Sequence, residues 1–220
     1  MGLSQTEENY LKAIYKLSEQ DHGSVSTNAI AKMMNTSPAS VTDMIKRLAE
    51  KNYLKYRKYY GSELTEQGKT TATHMVRKHR LWETFLVDKL KFSWEEIHEI
   101  AEQLEHINSE KLVHRLDEFL GFPKFDPHGD PIPNHEGKFT LRSQTLLSEM
   151  EVGDEGEVIG VKSHDTPFLL HLNEIGIRIN TPLQIISKQE YDQSTTVKVN
   201  ENVILLSEKV AAQLLLKKIS

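Results

Sequence analysis

Cysteine is missing from all 220 residues of the chain. Its absence excludes a disulfide framework, a thiolate zinc site, an iron–sulfur cluster and a cysteine nucleophile. Any bound metal must therefore be held by oxygen and imidazole nitrogen. Long apolar runs are missing too. The strongest, Asn202 to Leu206 and Val210 to Leu216, fall short of the roughly 20 apolar residues of a membrane-spanning helix, so no membrane partner is expected. Met1 to Tyr10 has no basic region followed by an apolar one, which predicts no secretory signal and makes the cytosol the expected compartment. An excess of positive charge is likewise missing. Asp and Glu number 32 against 27 Lys and Arg, a net charge of −5, which offers nucleic acid no overall attraction.

That average hides a split. Residues 1–70 carry 10 cations against 8 carboxylates, residues 71–141 carry 9 against 13, and residues 142–220 carry 8 against 11. Lys46, Arg47, Lys51, Lys55, Arg57 and Lys58 crowd into the thirteen residues 46–58, opposed there only by Glu50, whereas the middle third holds seven of the ten histidines. A basic patch followed by an imidazole and carboxylate cluster is the organisation to be explained.

The first third reads as a winged helix-turn-helix. Tyr10, Leu11, Ile14, Tyr15 and Leu17 recur at helical spacing over Leu3 to Ser18, behind a capping start at Ser4 with Glu7 and Glu8. Ser26 or Thr27 opens a short helix, Asn35-Thr36-Ser37-Pro38 makes a tight turn, and Pro38 to Lys51 places Val41, Met44, Ile45 and Leu48 on one stripe. Strands are predicted at Tyr53 to Tyr59 and Ser62 to Thr65. In such a module the second helix of the pair enters the major groove and cations neutralise phosphates. Ser37, Ser40, Thr42 and Asp43 are the candidates for base or groove contact, and Lys46, Arg47, Arg57 and Lys58 for phosphate. For Asp43 a polar, non-contacting flank is the alternative, because an acid near phosphate is repelled unless it accepts from a cytosine amine.

Helices are predicted at Thr71 to Leu90, Trp94 to Ile107 and Ser109 to Leu120, and a linker at Gly121 to Phe139 with four prolines. Short β-rich runs at Glu157 to Val161, Leu183 to Ser187, Thr195 to Val199 and Asn202 to Leu206 predict a small β-barrel. The fold expected is mainly α with a small β domain. It divides into a DNA-binding region 1–70, a helical sensing and dimerisation region with its linker 71–141, and a β domain 142–220. In the middle region His79 and Glu83 stand four apart, and His98, Glu102, Glu105 and His106 are expected on one face of one helix. Imidazole and carboxylate without thiolate suit Mn2+, Fe2+, Co2+ or Zn2+, and the carboxylate excess favours the harder Mn2+.

With these motifs in view, the chain resembles the diphtheria toxin repressor family of metal-dependent transcriptional regulators, and in ligand chemistry its manganese transport regulators. The resemblance is carried by Glu8-Asn9-Tyr10-Leu11-Lys12-Ala13-Ile14-Tyr15, Arg77-Lys78-His79-Arg80-Leu81 with Glu83, Ile97-His98, and Glu102-Gln103-Leu104-Glu105-His106. Pro123 to Pro133 is similar to the family's linker, and Leu172-Asn173-Glu174-Ile175-Gly176-Ile177 resembles the SH3-like (FeoA-like) carboxy-terminal domain of its longer members. The resemblance implies a primary metal site at Asn9, Glu102, Glu105 and His106, and a neighbouring one at His79, Glu83 and His98, with His79 able to serve either. It also points to Asp126 and His128, and less directly to Asp165 or Glu174; a plain turn residue is the alternative for His128. Glu102 stands where iron-responsive members have cysteine and manganese-responsive members glutamate. Two departures stand out: the first-helix ligand is Asn9, and a further carboxylate of two-manganese members falls on Lys12. Lys12 cannot ligate, which argues against a close binuclear pair, and its ammonium is expected near Glu102 or Glu8.

The reading is a metal-activated repressor of metal-uptake genes, acting as a homodimer on a palindromic double-stranded DNA operator, with no small-molecule substrate and no enzymatic activity expected. Repression rather than activation rests on the resemblance alone. A winged-helix regulator sensing a small organic ligand is one rival. A metallohydrolase is the other, and it lacks both a His-Glu-x-x-His helix and an evident nucleophile.

Overall fold

The protein is described by a computed structural model covering residues 2–21, 23–57 and 60–219. It divides into two compact units. One comprises Met1–His79, Glu105–Asn108 and Pro133–Lys138; the other comprises Arg80–Leu104, Ser109–Ile132 and Phe139–Ser220.

The first unit is built on α1 (Gln5–Asp21), α2 (Thr27–Met33), α3 (Pro38–Glu50), the strands β1 (Leu54–Arg57) and β2 (Gly61–Leu64), and the first half of α4 (Glu66–Asp88). A reciprocal capping box starts α1: the Ser4 amide donates to Glu7 Oε2 at 2.8 Å and the Glu7 amide to Ser4 Oγ at 3.3 Å. Ser26 and Ser37 cap α2 and α3, and Pro38 occupies the first turn of α3, where its missing N–H costs nothing. The apolar stripes converge on one core that includes Leu11, Ile14, Ile30, Val41, Ile45, Leu48 and Leu54. The hairpin pairs Leu54 with Leu64 and Arg57 with Gly61, and Val25 adds a one-residue bridge to Ser62. Gly61 has φ +94°, and a Cβ there would strike the Val25 carbonyl, so the wing closes only around glycine.

The second unit contains the rest of α4, then α5 (Ile97–Leu104) and α6 (Glu110–Phe119), followed by a sheet with β3 (Thr145–Leu146), β4 (Glu155–Val161), β5 (Pro182–Lys188), β6 (Thr195–Val199), β7 (Asn202–Leu206) and β8 (Leu214–Ile219). The short helices α7 (Thr166–Glu174) and α8 (Glu208–Ala211) interrupt it. The six strands are antiparallel in the order β3-β8-β4-β5-β6-β7, with register shifts after Val158 and Ile185. Leu147, Val158, Leu172, Ile185, Val197 and Leu214 fill the core under this sheet.

Several elements differ from the sequence expectation: β3, α7 and α8 are not among those expected, and α4, α5 and β8 also depart from it. Helix α4 starts at Glu66 rather than Thr71, because the Thr65 hydroxyl accepts from the Gly68 amide at 3.0 Å and caps it earlier. Helix α5 starts at Ile97 rather than Trp94: Ser93 and Glu96 do bond reciprocally, with the Ser93 amide donating to the carboxylate at 3.1 Å, but they close a turn. The same helix ends at Leu104, before Glu105 and His106. Strand β8 was hidden in an apolar run whose periodicity does not separate a buried strand from a helix.

Candidate metal centres and nucleic-acid interface

The polar side of α3 is presented as an N-cap and two turns of small or charged side chains. Ser37, Ser40, Asp43, Lys46 and Arg47 are exposed, while Val41, Ile45 and Leu48 are buried beneath them. Some of this polar chemistry is spoken for. Ser37 Oγ accepts from the Ser40 amide at 3.2 Å and lies 2.9 Å from Ser40 Oγ, and the Thr42 hydroxyl donates back to the Pro38 carbonyl at 2.8 Å. Lys55 and Arg57 are exposed on β1, whereas Lys58 lies outside the described residues. At the end of α3, Lys51 reaches α1 and donates to Glu7 at 2.7 Å. That hydrogen bond holds the Glu7 carboxyl below the usual carboxylate range despite partial burial.

The first unit holds two imidazole and carboxylate pairs, Glu105 with His79 and Glu8 with His106. Glu105 is fully buried, and both its oxygens are engaged: Oε1 lies 2.5 Å from Lys12 Nζ, and Oε2 lies 2.6 Å from His79 Nδ1. Burial pushes the Glu105 carboxyl up, but His79 and Lys12 outweigh it and the net displacement is downward. His106 Nδ1 lies 2.7 Å from Glu8 Oε2. Asn9 sits between Glu8 and the buried Tyr10, and its Oδ1 is buried without a hydrogen-bond partner. A carbonyl oxygen left dry is costly unless something electropositive meets it.

The second unit gathers a cluster. Glu83, Asp126 and His128 are all buried, and one ligand atom from each lies within 4.8 Å of the others. Glu83 is 3.4 Å from His98 Nδ1 through Oε1 and 3.7 Å from His128 Nδ1 through Oε2. His128 Nε2 lies 2.8 Å from the Trp94 carbonyl, which can only accept, so Nε2 carries the proton and the neutral ring keeps its lone pair on Nδ1. That Nδ1, like Asp126 Oδ2, is buried with no hydrogen bond. Asp126 Oδ1 accepts from the His128 and Asp130 amides at 2.9 Å, which shapes the loop. Arg80 is held by Asp130 at 2.8 Å and by the Pro131 carbonyl at 2.5 Å, and its Nε stands 3.5 Å from Asp126 Oδ2. Burial, with help from Asp130 and Glu83, pushes the Asp126 carboxyl up to about 7. Burial depresses the His128 imidazole, but Glu83 and Asp126 outweigh it and the net displacement is upward.

Glu83, Asp126 and His128 fit a divalent cation on the chemistry of their donors and on their dry oxygen and nitrogen atoms; Asn9, Glu105 and His106 fit one on donor chemistry and the dry Asn9 oxygen, although among the described residues no three imidazole or carboxylate ligand atoms of the first unit gather within 4.8 Å. The expected single helical face does not form. His98 and Glu102 lie on α5, where they are 3.8 Å apart, but Glu105 and His106 follow its end in a turn belonging to the other unit. The Lys12 ammonium, expected near Glu102 or Glu8, meets Glu105. Asp165 and Glu174 are exposed on α7, Asp165 at its N-cap. The sequence reading passed over His164, whose ring stacks on His128 at 4.3 Å, as well as Glu8 and Arg80. Glu8 could have been found from its place beside Asn9; His164 has no periodic or motif signature.

Comparison with known proteins gives the family. Residues 2–62 match the family model described as iron dependent repressor, N-terminal DNA binding domain, and residues 65–134 match iron dependent repressor, metal binding and dimerisation domain. Residues 145–218 match the FeoA domain. The iron-dependent repressor IdeR of Mycobacterium tuberculosis is 37% identical over 131 residues, 60% of this chain and 56% of IdeR, so the match spans just over half the length of that relative. The diphtheria toxin repressor of Corynebacterium efficiens is 29% identical over 210 residues, covering 85% of each chain. Among solved structures, a manganese-dependent transcriptional repressor in complex with manganese superposes with a TM-score of 0.85 at 32% identity, over 97% of this chain and all of the other. The manganese regulator SloR gives 0.75 at 33% identity, over 97% and 98%. A winged helix-turn-helix, a helical domain with clustered imidazoles and carboxylates, and an SH3-like sheet thus occur in the order of the three matched models, and the chain belongs to the diphtheria toxin repressor family of metal-dependent transcriptional repressors.

Proposed function

We propose that this chain is a divalent-metal-dependent repressor of metal-uptake genes, activated by Mn2+ or Fe2+, and that it works in the cytosol as a homodimer on a palindromic operator. The observation that carries the reading is the set of buried ligand atoms without hydrogen bonds: Asn9 Oδ1 in the first unit, and Asp126 Oδ2 and His128 Nδ1 in the second. Asn9, Glu105 and His106 are assigned to one site and Glu83, His98, Asp126 and His128 to the other, and Glu102 and His79 are assigned as metal ligands without being allotted to either. A bound divalent ion supplies the positive charge that these carboxylates and lone pairs call for. Regions 1–70, 71–141 and 142–220 are assigned to reading DNA, to sensing and dimerising, and to support of the second site.

Ser40, Asp43 and the exposed hydroxyl of Ser37 face outward for groove contact, and Lys46, Arg47 and Arg57 for phosphate. Thr42 contributes chiefly through its methyl group, since its hydroxyl is committed to the Pro38 carbonyl. The absence of thiolate and the names of the relatives, manganese-dependent in one group and iron-dependent in the other, both support a hard or borderline ion.

The test is operator binding by the full chain with Mn2+, Fe2+, Zn2+ or chelator, repeated for His106→Ala and Glu102→Ala. Binding is expected only with metal, and both variants are expected to need more of it. Equal operator affinity in chelator and in Mn2+ overturns the proposal.

A further inference from the structure

Glu105 is closed on both oxygens by groups of its own unit. Its side chain has no solvent exposure, Oε2 meets His79 at 2.6 Å, and Oε1 meets the Lys12 ammonium at 2.5 Å. A buried carboxylate stripped of its cation is strongly disfavoured, so the metal-free fold has to supply one. Lys12 does so from α1, one turn after Glu8 and on the same face as Glu8 and Asn9. Its side chain is 18% exposed, and its flexible four-carbon stem lets the ammonium reach water without moving the helix. A protonated amine has no lone pair, and it repels a second cation at contact distance. Lys12 and a divalent ion therefore exclude one another at Glu105 Oε1. The cluster of the second unit is not closed in this way: Arg80 Nε stays 3.5 Å from Asp126 Oδ2, which makes no hydrogen bond.

We infer that Lys12 is a tethered cation that neutralises Glu105 until a divalent ion displaces it, and so sets the metal concentration at which the site of Asn9, Glu105 and His106 fills. This rests on the proposed assignment of those residues to a metal site. An intramolecular competitor lowers apparent affinity by the fraction of molecules it occupies, without altering the ligands.

The experiment is calorimetric titration of the chelator-stripped full chain with Mn2+ at neutral pH, for the unaltered protein, Lys12→Met, Lys12→Arg and His106→Ala, with thermal melts with and without Mn2+. A thioether is a poor donor to Mn2+, so a gain in Lys12→Met cannot come from a new ligand. Lys12→Met is expected to bind Mn2+ roughly tenfold or more tightly at the site that His106→Ala removes. It should also melt lower than the unaltered protein when metal-free and be raised more by Mn2+. Lys12→Arg, whose guanidinium stays charged and gives up water for a carboxylate more readily than an ammonium, is expected to fold normally and bind Mn2+ more weakly. Unchanged or weaker binding in Lys12→Met overturns the inference while His106→Ala still loses a site, and so does unchanged or tighter binding in Lys12→Arg. If His106→Ala keeps every Mn2+ equivalent, the metal-site assignment itself falls. Should Lys12→Met fail to fold without metal, rescue by Mn2+ supports the inference and failure to rescue overturns it.

Discussion

Glu105 and Asp126 are both buried carboxylates, and their neighbours drive them in opposite directions. Burial raises each, but Lys12 and His79 more than reverse this at Glu105, whereas Asp130 and Glu83 add to it at Asp126. The stability Glu105 contributes is present above its unfolded value and is lost as pH falls through its lower folded value. Asp126 behaves inversely: its protonated form favours the fold at low pH, and that contribution disappears as pH rises to about 7. A metal must then expel a proton from Asp126 near neutrality. Mn2+ binding is expected to be much weaker at about pH 5 than at about pH 7.5, and titrations in buffers of different ionisation enthalpy should report proton release that Asp126→Asn reduces. Equal affinity at the two pH values would contradict the ligand assignment. The candidate donors were visible in the sequence through the helical spacing of imidazoles and carboxylates between His79 and His106, and, for Asn9, Asp126 and His128, through the family resemblance alone. The partners Lys12, Arg80 and His164 were not, since each meets its target across more than thirty residues of chain.

At the scale of elements, the loop from Asp126 to Asp130 shows how backbone places chemistry. Asp126 Oδ1 gathers two loop amides, Gly129 takes φ +88°, and a Cβ at Gly129 would collide with the Ile159 carbonyl on β4. Gly129→Ala is therefore expected to lower unfolding free energy by about 2–3 kcal/mol through strain and overpacking, measured by denaturant titration, and to remove one Mn2+ equivalent. Full retention of both would show that the loop tolerates displacement. Helices and hairpin were readable from periodicity and caps: α2 and α3 follow their serine caps, and β6 and β7 keep their expected limits. The helical face of His98 to His106 failed for a physical reason. Lys12, His79 and Glu8 satisfy Glu105 and His106 in a turn, and a sequence pattern does not reveal where tertiary partners end a helix.

At the scale of the molecule, the net charge of −5 is a poor guide to the role of a chain whose acids include the buried Glu83, Glu105 and Asp126. Its apolar surface is more telling. Trp82, Phe85, Leu112, Leu116 and Phe119 line an open groove on the helices of the second unit, with Phe119 63% exposed. This is the surface we assign to the second copy of the proposed homodimer, inside the region matched by the dimerisation model. Phe119→Glu is expected to shift sedimentation toward monomer and to weaken operator binding, because two half-sites are then read separately. A dimer of unchanged strength would place the interface elsewhere. The start of α1 has a further consequence. Glu7 holds the end of α3, Glu8 holds His106, and Asn9 carries the dry oxygen. Successive residues on a helix point about 100° apart, so these three face three directions within about 3 Å of rise. The reading helix and the ligand turn thus hang from a single peg. Fraying of that one helical turn would loosen both together.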